Sequence, residues 1–382
     1  MNPIEKLDSS PQPSHRSRRR GRRGRGRRFL YIIFIACLST NPVGTRSTAS
    51  ELLMRENPDA VERVPTTGFM GSRRENLFRG ILSPRHAAEA SRDETWERIA
   101  PFFSPPAKFA GDFGTYKSPL ILEDGRKVIS RDQWSKRRLE ILAKWTGQLG
   151  EWPPLIEKPR IEFIEKEKRE NFAQHRVRIE LAPQQIEEAF LLIPDGTGPF
   201  PAVIVPFYEA KTSIGRGSAL LDFGYQLTKR GFVTLSIGSP GGSARDPATG
   251  AARCQPLSFL AYIASNCRNA VAGLPEVDRN RIGIVGHSYG GKWAMFAACL
   301  DEKFACAVWS DPGIVFDETR PNVNYWEPWY LGFDQDKKRN EGVPTQTNPR
   351  TGPYKDLFEG GSDLHELHAL MAPRAFLVSG GS

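Results

Sequence analysis

Apolar and polar positions follow two different rhythms along this chain, and the change of rhythm organises it. Over residues 134–149 (WSKRRLEILAKWTGQL) apolar positions recur with a roughly helical period, and Gly150 with Pro153 and Pro154 stops the pattern. This predicts an amphipathic helix packed on the main domain. Short apolar runs follow at 161–164, 177–181, 189–193 and 202–207, separated by turn residues such as Pro194-Asp195-Gly196, and they predict β-strands. From about residue 218 helical and strand patterns take turns. Helices are expected at 219–230, 256–271 and up to residue 300, and strands at 232–237, 281–285, 304–309 and 374–379. That alternation is the signature of crossover units, so the expected class is α/β, a mostly parallel sheet with helices on both faces. No internal repeat interrupts it.

Charge changes the picture only at the N-terminus. The chain of 382 residues has a net charge of +9, which on its face invites a nucleic-acid partner. Residues 1–49 hold eleven of the 53 Lys and Arg but only two of the 44 acidic residues, which leaves the rest balanced. No nucleic-acid partner is therefore expected. The arginine block runs into the ten-residue apolar stretch 29–38 (FLYIIFIACL) and then Ser47-Thr48-Ala49. A basic region, a short apolar region and a small-residue cleavage site together read as a secretory leader, too short for a permanent membrane span. A basic arm followed by a buried strand, or an anchor at Cys37, are the competing readings. The expected organisation is a leader over 1–49, an irregular segment over 50–114 and one α/β domain over 115–382. Export would permit disulfides, and Cys254, Cys267, Cys299 and Cys306 remain after the leader. Cys299 with Cys306 is the favoured pair if any forms; the alternative is four small buried hydrophobes.

The sharpest chemical signal is residues 281–291 (RIGIVGHSYGG), an apolar strand entering Gly286-His287-Ser288-Tyr289-Gly290 and then a helix. This is the G-x-S-x-G nucleophile elbow in the context it requires, and it implies the α/β-hydrolase fold. Glycines flank the serine because side chains there would collide across the tight turn. The turn lifts the Ser288 hydroxyl clear of the sheet edge, and the helix N-terminus brings free N–H groups to a developing oxyanion. The Tyr289 amide is the first oxyanion donor expected, and Tyr208, in the loop after the strand at 202–207, is the candidate second donor. Asp311, directly after the strand at 304–309, is the candidate acid; a turn-forming Asp before Pro is the structural alternative. Among the histidines after the elbow, His287 should point away from the serine hydroxyl, and His365 and His368 precede the last strand. They read as structural histidines, so a final strand and the general base are expected to be missing.

Around these residues the chain resembles the glucuronoyl esterases, carbohydrate esterases that cleave esters between glucuronic acid and lignin alcohols. Their elbow reads G-C-S-R-x-G-K, and Gly286, Ser288, Gly291 and Lys292 match it. Asp124-Gly125, Val128, Trp134, Arg138, Glu140, Gly150 and Pro153 upstream, and Ala372-Pro373-Arg374 downstream, extend the likeness over roughly 115–382. The resemblance implies that Lys292 binds uronate hydroxyls and that Asp311 is the triad acid. His287 in place of Cys and Tyr289 in place of Arg depart from that pattern. The Ser-Tyr-Gly-Gly form is equally at home in dienelactone-hydrolase-like and acetyl xylan esterases and in prolyl-oligopeptidase-like peptidases.

The expected function is that of an exported serine esterase acting on a small-molecule or polysaccharide ester, with no cofactor and no metal. Trp326, in the aromatic run 324–330 (NYWEPWY), is the candidate for stacking on a sugar, although such runs more often form core. A non-catalytic remnant of the fold and a peptidase are the alternatives.

Overall fold

The computed structural model describes residues 114–217 and 220–380, with a few single residues and short stretches between 97 and 112. The expected leader and nearly all of the irregular segment lie outside the described residues.

Helix α1 (Arg131–Leu149) begins three residues before the apolar period does, because Ser130 caps it: the Gln133 N–H donates to Ser130 Oγ at 3.2 Å. Arg137, Ile141, Trp145 and Leu149 recur every four residues and form its buried face. Gly150 ends the helix at φ +84°, with its backbone pressed so closely on Cys254 that a Cβ would lie 2.8 Å from the Cys254 Cα. Trp145 Nε1 and Lys144 Nζ both donate to Glu366, which pins the helix to the C-terminal part of the chain.

Eight strands form one sheet: β1 (Ile161–Arg169), β2 (Phe172–Ala182), β3 (Gln185–Pro194), β4 (Phe200–Pro206), β5 (Val233–Ile237), β6 (Val277–His287), β7 (Cys306–Ser310) and β8 (Ala375–Ser379). Their order is β1-β2-β3-β5-β4-β6-β7-β8. The β1, β2, β3 and β5 pairings are antiparallel, and those from β5 through β4, β6 and β7 to β8 are parallel. The central strands are apolar on both faces because both faces are covered. Ile204, Ile284 and Ala307 join the larger core under α3 (Pro256–Ala272) and α4 (Tyr289–Leu300). Val203, Val205, Val285 and Val308 join a smaller one that holds Leu227 of α2 (Phe223–Thr228). At the far edge, β1 carries mostly charged side chains, which discourage pairing with another chain.

Two expectations change. The helix expected over 219–230 is confined to α2, because Leu220 takes φ +84° just before it and Gly231 φ +91° just after. No disulfide joins Cys299 to Cys306. Cys299 sits in the larger core and Cys306 in the smaller one on the other face of β7, and all four cysteines in the described domain are free and buried.

Between β7 and β8 run more than sixty residues with only two short helices, α5 (Gly352–Glu359) and α6 (His365–Ala369). A segment this irregular needs its backbone polar groups satisfied from elsewhere. Buried Arg339 does much of this by donating to the carbonyls of Trp326, Gly342 and Pro349. Among the described residues no helix is long and apolar enough to cross a membrane.

His368 of α6 stacks on Trp309 at 5.4 Å and on Phe376 at 6.2 Å. Burial, helped by His365, pushes its pKa from 6.5 to about 4. Because the unfolded chain takes up this proton first, stability present above about pH 6.5 is lost as pH falls towards 4. His368→Phe keeps the stack and removes the titration. It should recover roughly 3 kcal/mol relative to the parent at pH 4, the free energy of moving this pKa from 6.5 to about 4, measured by denaturant unfolding at pH 4 and 7.

Candidate active site

Strand β6 ends at His287, helix α4 begins at Tyr289, and Ser288 is the single residue between them. Its φ of +53° with ψ −115° lies far from any comfortable well for a residue with a side chain. Backbone contacts on every side enforce that conformation. A Cβ on Gly286 would overlap the Gly290 carbonyl, and one on Gly290 would overlap the Pro206 carbonyl at the end of β4. One on Gly291 would meet the Ser310 carbonyl at 2.9 Å. The Ser288 N–H donates to that same Ser310 carbonyl at 2.8 Å, tying the turn to the end of β7. The serine is half-buried at the C-terminal edge of the sheet.

The close approach of Pro206 and Phe207 to Gly290 brings the loop after β4 against the elbow. Tyr208 is 43% exposed, and its ring lies 4.9 Å from that of Tyr289. The Tyr289 N–H, first in α4, has no carbonyl a turn earlier to receive it. The backbone at 206–207 therefore meets the start of α4 beside the elbow, with the Phe207 N–H already donating to the Ile237 carbonyl at 3.0 Å. The Tyr289 side chain is buried, with its phenol held well above the usual range by burial.

Asp311 follows β7 at φ +52°, exposed, with its N–H donating to the Ser379 carbonyl of β8 at 2.5 Å. Parallel pairing places β6, β7 and β8 ends level: His287 pairs with Ser310, and Ser310 with Ser379. Ser288 and Asp311 thus share one edge. His287 Nδ1 stands 3.2 Å from Ser310 Oγ, to which Ser379 Oγ donates at 3.1 Å. Burial lowers the His287 pKa, opposed by the nearby negative charge of Asp311. His365 Nε2 lies 2.9 Å from the Lys117 carbonyl oxygen, and His368 is in the stack described above. Among the described residues no hydrogen bond joins a histidine to the Ser288 hydroxyl.

The two substrate-binding candidates, Lys292 and Trp326, are both enclosed in this conformation. Lys292 is 5% exposed, and its ammonium donates to the Pro312 carbonyl and lies 4.6 Å from the Tyr325 ring centroid. Burial pushes its pKa down to about 7, against the pull of Asp311. Trp326 is 1% exposed and packs edge-on against Tyr354, so it offers no face to a sugar. Pattern alone did not separate these from surface residues, because an aromatic-rich run reads the same as core or as platform. Among the described residues no group of three His, Cys, Asp or Glu side chains could hold a metal ion.

This arrangement of sheet, elbow and helices is the α/β-hydrolase fold. The family model described as the prolyl oligopeptidase family matches residues 265–378, from α3 through the elbow to β8. Among solved structures, the chain is similar to a glucuronoyl esterase from Solibacter usitatus, with 20% identity over 70% of this chain and 79% of that one and a TM-score of 0.52. A glucuronoyl esterase from Teredinibacter turnerae gives 18% identity, coverage of 70% and 72%, and a TM-score of 0.51. At these identities the likeness is one of fold. A comparison with curated proteins finds no sequence match.

The elbow makes a sharp contrast between two glycines. Gly286→Ala should cost about 3 kcal/mol, since a rigid carbonyl occupies the space a methyl needs. Gly147→Ala, in exposed helix α1 with nothing within 4 Å, should stabilise by about 0.5–1 kcal/mol. Thermal unfolding of the two variants checks both signs.

Proposed function

We propose that this protein is an exported serine hydrolase that cleaves carboxylic esters on carbohydrate-linked substrates, with Ser288 as nucleophile. The observation that carries this reading is the conformation of Ser288, a residue held at positive φ between a strand end and a helix start, with glycine on either side of the turn. In the proposed reaction the Ser288 oxygen attacks the ester carbonyl, and its proton passes to a histidine oriented by Asp311, a role that none of His287, His365 and His368 fills in this conformation. The amides of Tyr289 and Tyr208 hold the oxyanion. Collapse of the tetrahedral species expels the alcohol, which takes the proton from the histidine, and water then hydrolyses the acyl-enzyme by the same steps. The ester assignment is supported by the structural neighbours, which are glucuronoyl esterases. Export is supported by the N-terminal basic and apolar segments.

A second reading is favoured by one specific observation: none of the described histidines is bonded to Ser288. It holds that the protein keeps the fold and the elbow but is not a catalyst. A third, a peptidase, is suggested by the family match.

A fluorophosphonate probe separates the first two. Stoichiometric labelling that disappears in Ser288→Ala supports the hydrolase, and an unlabelled full chain rules it out. If turnover is found, Asp311→Asn should lower kcat/KM by roughly 10³ to 10⁴-fold, as expected when the histidine loses its orienting acid. Aryl and alkyl esters turned over faster than dipeptide amides would set the peptidase aside.

A further inference from the structure

We infer that Lys292 is a positioning residue that fastens the turn carrying Asp311 to the helix carrying Ser288, and that it does so without meeting substrate. The inference rests on the proposed roles of Ser288 and Asp311, but its structural content stands without them. The turn after β7 takes positive φ at two places, +52° at Asp311 and +76° at Gly313, and is strained at Asp311, which carries a side chain. A residue with a side chain holds such a conformation only when its surroundings over-determine it. Two buried side chains do so here. The Lys292 ammonium donates to the Pro312 carbonyl. The Tyr325 hydroxyl lies 3.0 Å from the same oxygen and 2.9 Å from the Gly313 carbonyl, so its one proton is shared between the two.

Lys292 also donates its backbone N–H to the Ser288 carbonyl at 3.0 Å. One residue therefore grips the nucleophile's backbone with its amide and the acid's turn with its side chain. The remaining faces of the ammonium are closed by aromatic rings, Tyr325 at 4.6 Å and Tyr330 at 5.6 Å from their centroids. Gly291, next to it, leaves room for the Ser310 carbonyl and the Pro312 ring to settle directly on α4. The ammonium is enclosed within the protein, and on this inference its bond to the Pro312 carbonyl sets where the Asp311 turn lies against α4.

The test uses the full chain with Lys292→Met, which keeps the apolar stem and loses the donor, and Tyr325→Phe, which removes one oxygen. Amide hydrogen exchange over residues 309–316 should accelerate about tenfold or more in both variants, while residues 256–272 keep the parent's protection. Unchanged exchange over 309–316 in both variants overturns the inference whether or not the protein turns over any ester. Where turnover is measurable, Lys292→Met should lower kcat by about a hundredfold with KM within about twofold, as misplacement of a reacting group does. Lys292→Arg should restore part of it. A raised KM with unchanged kcat means that the lysine contacts substrate, and overturns the inference. Loss of labelling at Ser288 in the parent chain bears on the hydrolase reading alone.

Discussion

Three backbone segments touch at the end of β6 with no side chain between them, and the rest of the site depends on that contact. Gly286 and Gly290 let the strand and helix close on each other, Gly290 admits the end of β4, and Gly291 admits the end of β7. Ser288 takes its unfavourable torsion angles because the alternatives would part these segments. The strain is local, of the order of 1–3 kcal/mol for such a residue, and the buried sheet beneath supplies the rigidity that sustains it. The central strands are covered on both faces, so the edge where their C-terminal ends meet is a fixed platform.

Around that platform the structure spends its buried polar groups on holding irregular backbone. Arg339 gathers three carbonyls of the long connection between β7 and β8, and Lys292 with Tyr325 gathers the turn that carries Asp311. Glu366 receives both Trp145 and Lys144, which locks the N-terminal helix onto the same connection. Each of these groups would be costly to bury alone and is kept because it closes hydrogen bonds that no helix or strand supplies. The aromatic residues of the connection fill the core over α4, with Tyr325, Trp326 and Tyr354 fully enclosed.

The histidines have a related logic. His287 faces the hydroxyl of Ser310, His365 the carbonyl of Lys117, and His368 two aromatic rings. The groups they bond or stack on are uncharged, and burial biases His287 and His368 towards the uncharged form, against the nearby charge of Asp311 in the case of His287. Such surroundings suit structural roles, and they leave the Ser288 hydroxyl without a bonded base among the described residues.

The sequence by itself determined the α/β class, the eight strands in close to their observed places, the helix before them and the serine at the elbow. These are legible because they rest on local facts: apolar spacing matches strand or helix period, and a G-x-S-x-G turn works only where glycine tolerates backbone contact. Boundaries set by capping or torsion escaped it, as at Ser130 and Leu220. Tertiary structure alone decided that Cys299 and Cys306 lie on opposite faces of a strand, that Trp326 is core, and that Lys292 turns inward to a carbonyl. Each depends on which distant segment arrives to cover the residue, and no period in the chain records that arrival.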